Sequence, residues 1–256
     1  MIDPRAMVSL KARLADGVSV GAFTVIGDDV EIGEGTWIGP HAVVNGPTRI
    51  GRDCRIFQFA SIGDEPQDKK YRGEPTRLEI GDRNVFREFV TANRGTSGGH
   101  GVTHIGDDNL FMAYSHVAHD CVVGDKCVMA NYAVLAGHVE LGDWAILAGY
   151  AGVHQFCKVG AHAFLGNNAA VTRDVPPYLL VSGAPAEPKG VNTEGLKRRD
   201  FSPAQIANIK NAYRVLYRSG LKLSEAREQL QALAATQPEI GPFAEFLGRV
   251  TRSIVR

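Results

Sequence analysis

Long hydrophobic runs are missing from this chain of 256 residues. No segment approaches the ~20 consecutive apolar residues that cross a bilayer. The first residues, MIDPRAMVSLKAR, lack the apolar centre of a secretory leader. A cytoplasmic, soluble protein with no membrane span is expected. An excess of one charge is missing too: 28 Lys and Arg face 28 Asp and Glu. That balance gives no sign of a nucleic-acid partner. Cysteine is scarce. Cys54, Cys121, Cys127 and Cys157 form no CxxC pair, and in a reducing compartment disulfides are not expected. Aromatics reach only 8%, which leaves most of the core to aliphatic side chains. The balanced charge is unevenly spread, however. From Val191 onward 11 Lys and Arg face 6 Asp and Glu, a net of +5, against −5 for residues 1–190. A basic C-terminal segment suggests an acidic partner.

What the chain does have is a repeat. An aliphatic residue recurs at every sixth position from Val8 through Val20, Ile26, Ile32 and Ile38 to Ile62, and again from Ile105 through Val117, Leu135 and Leu147 to Val171. Glycine often follows it, as at Gly21, Gly27 and Gly33, and the fourth residue after it is small or β-branched, as at Ala12, Thr24 and Val30. A period of six is neither helical nor alternating. It reads as a short strand and a turn, and three such units make a triangular coil of eighteen residues. The aliphatic residue should line the inside and the small one should fill the corner. The glycine is expected to ease the turn. All four cysteines occupy the small corner slot, so they read as core fillers without chemistry.

Two stretches break the rhythm, residues 64–79 and the glycine-rich residues 93–104. Both should loop out of the coil, and long loops on a rigid scaffold often carry function. The division expected is a β-helix over 1–190 and a small helical domain over 191–256. In that second part, Ser202-Pro203 opens a helix whose apolar face is Ile206, Ile209, Tyr213, Leu216 and Tyr217. Ser224 is expected to cap a second helix, and Phe243, Phe246, Leu247 and Val250 mark a third.

None of the eight histidines occupies an inward slot, so they should lie outside the core. In AYSHVAHDCVVG, residues eighteen apart should stack. His119 then meets Gly137 and, one coil further, Gln155. Asp120 meets His138, and His154 lies beside Gln155. The cluster suits acyl transfer. An imidazole can take a proton from an alcohol near neutral pH. The carboxylate would fix its tautomer, and a bare glycine N–H could hold a thioester oxyanion. Two other readings stay open on residue types alone: histidines that only pack against a neighbouring subunit, and a zinc site built from His116, His119 and His138.

The motifs then converge on one family. HxxHDC at 116–121, LAGHVELGD at 135–143, VHQFCKVGAH at 153–162, RDVPPY at 173–178, NTEGLKRRDFS at 192–202, QDKKYRGEPTRLEIGDRN at 67–84 and NRGT at 93–96 closely resemble the UDP-N-acetylglucosamine O-acyltransferases of lipid A biosynthesis, over essentially the whole chain. The resemblance implies a left-handed parallel β-helix of hexapeptide repeats with a small C-terminal α-helical domain, assembled as a homotrimer with clefts between subunits. It implies transfer of an R-3-hydroxyacyl chain from acyl carrier protein to the glucosamine 3-hydroxyl of UDP-N-acetylglucosamine, with the thioester as co-substrate and neither cofactor nor metal. It makes His119 the general base, Asp120 its support and the Gly137 backbone the oxyanion donor. Asp68, Lys70, His116 and His138 match positions near the sugar or the phosphopantetheine. His154 joins them as a substrate contact through its place in the cluster. Gln155, Asn192, Glu194, Arg198 and Arg199 match positions near the nucleotide. Asn167 matches the floor of the acyl groove, where members that take longer chains can have glycine, which implies a shorter chain here.

Alternatives of other kinds are a zinc hydratase of the gamma-carbonic-anhydrase type and a non-catalytic β-helix scaffold. A related N-acyltransferase would carry an extra N-terminal domain, for which the repeat starting near residue 8 is expected to leave no room.

Overall fold

A computed structural model describes residues 1–250 and 253–256. Strands of two to five residues follow one another and fall into three sheets. Face 1 holds nine strands, from Met7–Val8 through His116–Val117 to Ala170–Val171. Face 2 holds eight, from Arg13–Leu14 through Val122–Val123 to Lys158–Val159. Face 3 holds ten, from Ser19–Val20 through Val128–Met129 to Leu179–Ser182 and Glu187–Val191. Consecutive strands in a face are parallel and one coil apart, as His116 with Val134 and Glu140 with Lys158 show. Only the last pair on face 3 is antiparallel among the described residues. This is a left-handed parallel β-helix.

The six-residue pattern explains the core. The aliphatic slot is buried from Val20 on, with Ile26, Ile62 and Leu135 at 1% exposure or less. The small slot fills the corner, and its polar members are satisfied there: Thr24 Oγ1 donates to Gly39 O at 2.6 Å and accepts from Ala42 N at 3.3 Å. All four cysteines are buried, and none is in a disulfide among the described residues. Burial pushes the Cys54 thiol up to about 11 and the Cys121 and Cys127 thiols up to about 12, so they remain protonated fillers.

Glycine does a different job from the one expected. The turn bends at the third residue after the aliphatic one, where φ is positive. That slot holds Phe23, Asp120, His138 and Trp144, with φ between 58° and 62°. The left-handed conformation costs such residues roughly 1 kcal/mol each, which the coil-to-coil ladder and the burial must outweigh. The glycine that follows the aliphatic residue instead lets coils approach. A Cβ on Gly21 would stand 2.5 Å from Pro40 N, and one on Gly106 would stand 2.2 Å from Asp125 Oδ1.

Both interruptions leave face 1 and return on face 2, so they crown the same corner. They are shorter than the sequence suggested. Strands Ser61–Asp64 and Arg77–Ile80 bracket the first loop at 65–76, and strands Thr91–Asn93 and Val102–Ile105 bracket the second at 94–101. The reason is that each loop rejoins the coil at a buried corner slot, Leu78 and Thr103, both at 0% exposure. Arg94, only 7% exposed, ties the loops together. Its guanidinium donates to Gly46 O, Gly63 O and the Tyr71 hydroxyl at 2.7–3.1 Å.

Past Val191 the chain turns helical. Helix α1 (Thr193–Lys197) is capped by Asn192, and α2 (Pro203–Arg218) by a Ser202–Gln205 capping box. Helix α3 (Leu223–Ala234) has its cap at Lys222, two residues before the expected Ser224, because Glu225 reaches back to accept from Lys222 N at 2.8 Å. Helix α4 (Gly241–Arg249) buries Phe243, Phe246 and Leu247, and the Phe243 ring lies 5.5 Å from that of Tyr178 at the end of the coil. No helix among the described residues is long and apolar enough to cross a membrane.

Candidate active site

The corner between faces 1 and 2 gathers the histidine cluster. Asp120 sits in the left-handed slot, with its side chain fully buried. His119, just before it, places Nδ1 2.9 Å from Asp120 Oδ2. His138, one coil on, holds Nε2 3.9 Å from the same oxygen, with its ring edge-on to His119 at 5.1 Å. Phe156, another coil on, stacks on His138 at 4.3 Å. The stacking expected for residues eighteen apart is therefore present.

Gly137 completes the arrangement. A Cβ there would lie 2.6 Å from His119 Cε1 and 2.7 Å from Nε2, so the imidazole rests where any other residue would put its side chain. The Gly137 carbonyl accepts from Phe156 N, while its N–H makes no hydrogen bond among the described residues. One imidazole nitrogen thus faces a carboxylate, and the other lies over the open side of Gly137, where a side chain would otherwise project.

The charges suit proton transfer. Burial alone would push the Asp120 carboxyl up. The bonds from the His119 ring and from the Thr96 hydroxyl and N–H outweigh it and hold Asp120 at about 2. Burial pushes His138 down, against the pull of Asp120 and, more weakly, of Asp68. His116 is pushed down by burial and by His119.

The other expected residues distribute over the coil. Asp68 and Lys70 sit on the 65–76 loop above the cluster, where Asp68 Oδ1 accepts from Lys70 N at 2.9 Å. His116 lies on the outer side of face 1, with Nδ1 2.7 Å from Thr91 Oγ1. It does not join the three-residue set expected for zinc. The ligand atoms that converge, within 4.8 Å of one another, belong to His119, Asp120 and His138. His154 and Gln155 are exposed one coil beyond Gly137. Asn167 stands at another corner, between faces 3 and 1, and its Oδ1 would lie 3.9 Å from a Cβ on Gly149.

Apart from Gln155, the nucleotide set lies elsewhere on the same chain, by the corner between faces 2 and 3. Arg199 Nη1 meets His162 Nδ1 at 2.9 Å, and Nη2 donates to Trp144 O at 2.8 Å, with the guanidinium 4.9 Å over the indole. Asn192 is nearly buried, accepts from Gly195 N and donates to His162 O. Glu194 pairs with Lys197 at 2.8 Å, and Arg198 is exposed at the end of α1.

Sequence reasoning missed Thr96, Gly99 and His100. The 94–101 loop folds onto Asp120. Thr96 Oγ1 donates to it at 2.6 Å, Thr96 N at 3.0 Å and His100 N at 3.0 Å. The glycine-rich composition flagged the loop without singling out a residue.

A hexapeptide-repeat coil with a histidine–carboxylate pair against a bare glycine defines an acyltransferase of the β-helix class. Comparison with known proteins narrows this. Residues 174–255 match the family described as UDP-N-acetylglucosamine O-acyltransferase, domain 2, and 11–46, 29–64 and 103–137 match the bacterial transferase hexapeptide repeat. The UDP-N-acetylglucosamine acyltransferase of Francisella novicida is 44% identical, with all of this chain and 94% of that one covered and a TM-score of 0.98. The Acinetobacter baumannii enzyme is 41% identical, covering 100% and 99% with a TM-score of 0.97, and the Arabidopsis one 32%, covering 100% and 99% with a TM-score of 0.83. The chain belongs to the UDP-N-acetylglucosamine O-acyltransferase family.

Proposed function

We propose that this protein transfers an R-3-hydroxyacyl chain from acyl carrier protein to the 3-hydroxyl of UDP-N-acetylglucosamine, the first step of lipid A biosynthesis. The observation that carries the reading is His119, with Nδ1 on Asp120 and Nε2 against Gly137. Asp120 accepts from Nδ1–H, which leaves Nε2 free to act as base. It takes the proton of the sugar hydroxyl as that oxygen attacks the thioester carbonyl. The Gly137 N–H supports the oxyanion. When the C–S bond breaks, the imidazolium returns its proton to the departing thiolate. Asp68, Lys70 and His138 border the same spot and are assigned to substrate.

The reading includes a homotrimer. The outward residues of face 3 include Val128, Ile146, Phe164 and Leu180, and those of face 1 include Val43, Val134 and Ala170, whereas face 2 turns out Arg13, Glu31, Arg49 and Glu140. Between the two apolar faces, Phe59, Phe89, Tyr114, Tyr132 and Tyr150 stack in an exposed ladder at 4.7–5.1 Å. Two different apolar faces flanking one corner support a head-to-tail contact that closes into a ring. With coil axes parallel, the Arg199 corner of one subunit then meets the His119 corner of the next. Trp144 follows His138 by six residues, a third of a coil, so the two corners come together at similar height. That would place Arg198 and Arg199 beside the partner's histidines, where a planar guanidinium suits a diphosphate.

A groove of about 370 Å³ on face 1 runs from His154 past Gly152 and Ala170 to Asn168. It offers the acyl chain a path towards Asn167. The exposed Lys210, Arg214 and Arg218 of α2 offer the acidic carrier protein a surface that speeds encounter. The test is mass spectrometry of products from UDP-N-acetylglucosamine and carrier proteins of several chain lengths. An ester at the 3-hydroxyl is expected, and His119→Ala should slow its formation about a hundredfold or more. Near-normal turnover in that variant would remove His119 from the chemistry.

A further inference from the structure

A buried carboxylate aimed at an imidazole holds it only as firmly as the carboxylate itself is held. Asp120 is also met by the 94–101 loop. Thr96 Oγ1 donates to Oδ2 at 2.6 Å, and Thr96 N is 3.0 Å from the same oxygen. His100 N donates to Oδ1 at 3.0 Å, and Asp120's own N–H is tied to Thr103 Oγ1 at 2.8 Å. The loop closes on itself to make this possible, with Gly99 N and Gly101 N both donating to Thr96 O at 3.1 and 3.0 Å. Gly99 is compulsory there, since a Cβ would stand 2.4 Å from the Asp120 carboxyl carbon. Thr96 is 6% exposed, so no water competes freely for its hydroxyl.

We infer that Thr96 is a positioning residue, which together with the loop amides fixes the Asp120 carboxylate so that it locks His119 in the Nδ1–H tautomer. The glycine-rich insertion is thus the backing of the base rather than a substrate loop. Charge supports the geometry. These donors, with the His119 ring, hold the Asp120 carboxyl at about 2, against a burial that pushes it up. Without the Thr96 hydroxyl, the oxygen that faces His119 loses its shortest bond and can turn away.

The inference rests on His119 being the base, so its test reads the ring directly as well as the rate. In Thr96→Val, kcat should fall about tenfold or more, the scale of a hydrogen bond to a charged group. KM for the sugar nucleotide should stay within about twofold, because no substrate contact is removed. Thr96→Ser, which keeps the hydroxyl, should recover most of the rate. Histidine ¹⁵N NMR should show a single Nδ1–H tautomer for His119 in the parent and a tautomer mixture in Thr96→Val. A Val variant with parent kcat and an unchanged ring spectrum overturns the inference. So does a Ser variant as slow as the Val one, or a loss confined to KM. Should His119→Ala keep full turnover, the reading of the site fails instead, while the ring spectra still decide whether Thr96 holds the pair.

Discussion

Two corners of one coil carry histidines in the same left-handed backbone slot, and their surroundings are opposite. His138 (φ 62°) shares a buried carboxylate with His119. His162 (φ 61°) faces the Arg199 guanidinium, stacked with Trp144 and Tyr178. Burial pushes both rings down. At the first corner Asp120 opposes the shift, and at the second Arg199 adds to it. The scaffold therefore dictates where a side chain projects, and the neighbour dictates what it can do. An imidazole next to an anion keeps its capacity to take a proton. One next to a cation becomes a neutral acceptor that holds an arginine still.

The contrast breaks first at Gly137. Its φ lies outside the left-handed region, so the backbone accepts alanine. The new Cβ, however, would stand 2.6–2.7 Å from the His119 ring, which is tethered to Asp120. Moving the base by about an ångström costs on the order of a hundredfold in rate. Gly137→Ala should lose about that much kcat with an unchanged thermal midpoint. Parent kcat would mean that the ring does not work from where it is seen.

The second corner should respond differently. Arg198 is exposed beside the anchored Arg199, and in the proposed trimer it would stand by the neighbour's site. Arg198→Ala should raise KM for the sugar nucleotide about tenfold, the value of one charge-assisted bond, and spare kcat. A fall in kcat with unchanged KM would place Arg198 in the chemistry and erase the division between the corners.

The sequence made the first corner legible because an unbroken register runs through it. His119, Gly137 and Gln155 are eighteen apart with no insertion between them, and arithmetic alone brings them together. The same arithmetic holds up to Ser61 and fails where the coils cross the two loops. Ser61 pairs with Thr91 and Thr91 with His116, steps of 30 and 25 residues. Loops of unequal length interrupt the count there, and the contact of Thr96 with Asp120 could not be computed. The glycines were visible but misread. A turn residue and a close-approach residue look alike in sequence, and only the measured φ and the Cβ distances separate them. The apolar period of α2 was readable. The start of α3 was not, because Glu225 rather than a serine side chain sets it.

The smallest effect expected concerns His162, and it follows from sign alone. Burial first, then Arg199, lowers its pKa from 6.5 to about 4 in the folded protein. The unfolded chain therefore binds this proton more readily, so protonation favours unfolding. The stability His162 contributes is fully present above pH 6.5 and is lost as pH falls from there towards 4. Glutamine can still accept from Arg199 but does not titrate. Melting midpoints taken between pH 7.5 and 4.5 should therefore decline less steeply in His162→Gln than in the parent, with the two curves diverging below about 6.5. Parallel curves would show that the guanidinium leaves the imidazole free to protonate in place, and the electrostatic contrast between the corners would then be lost.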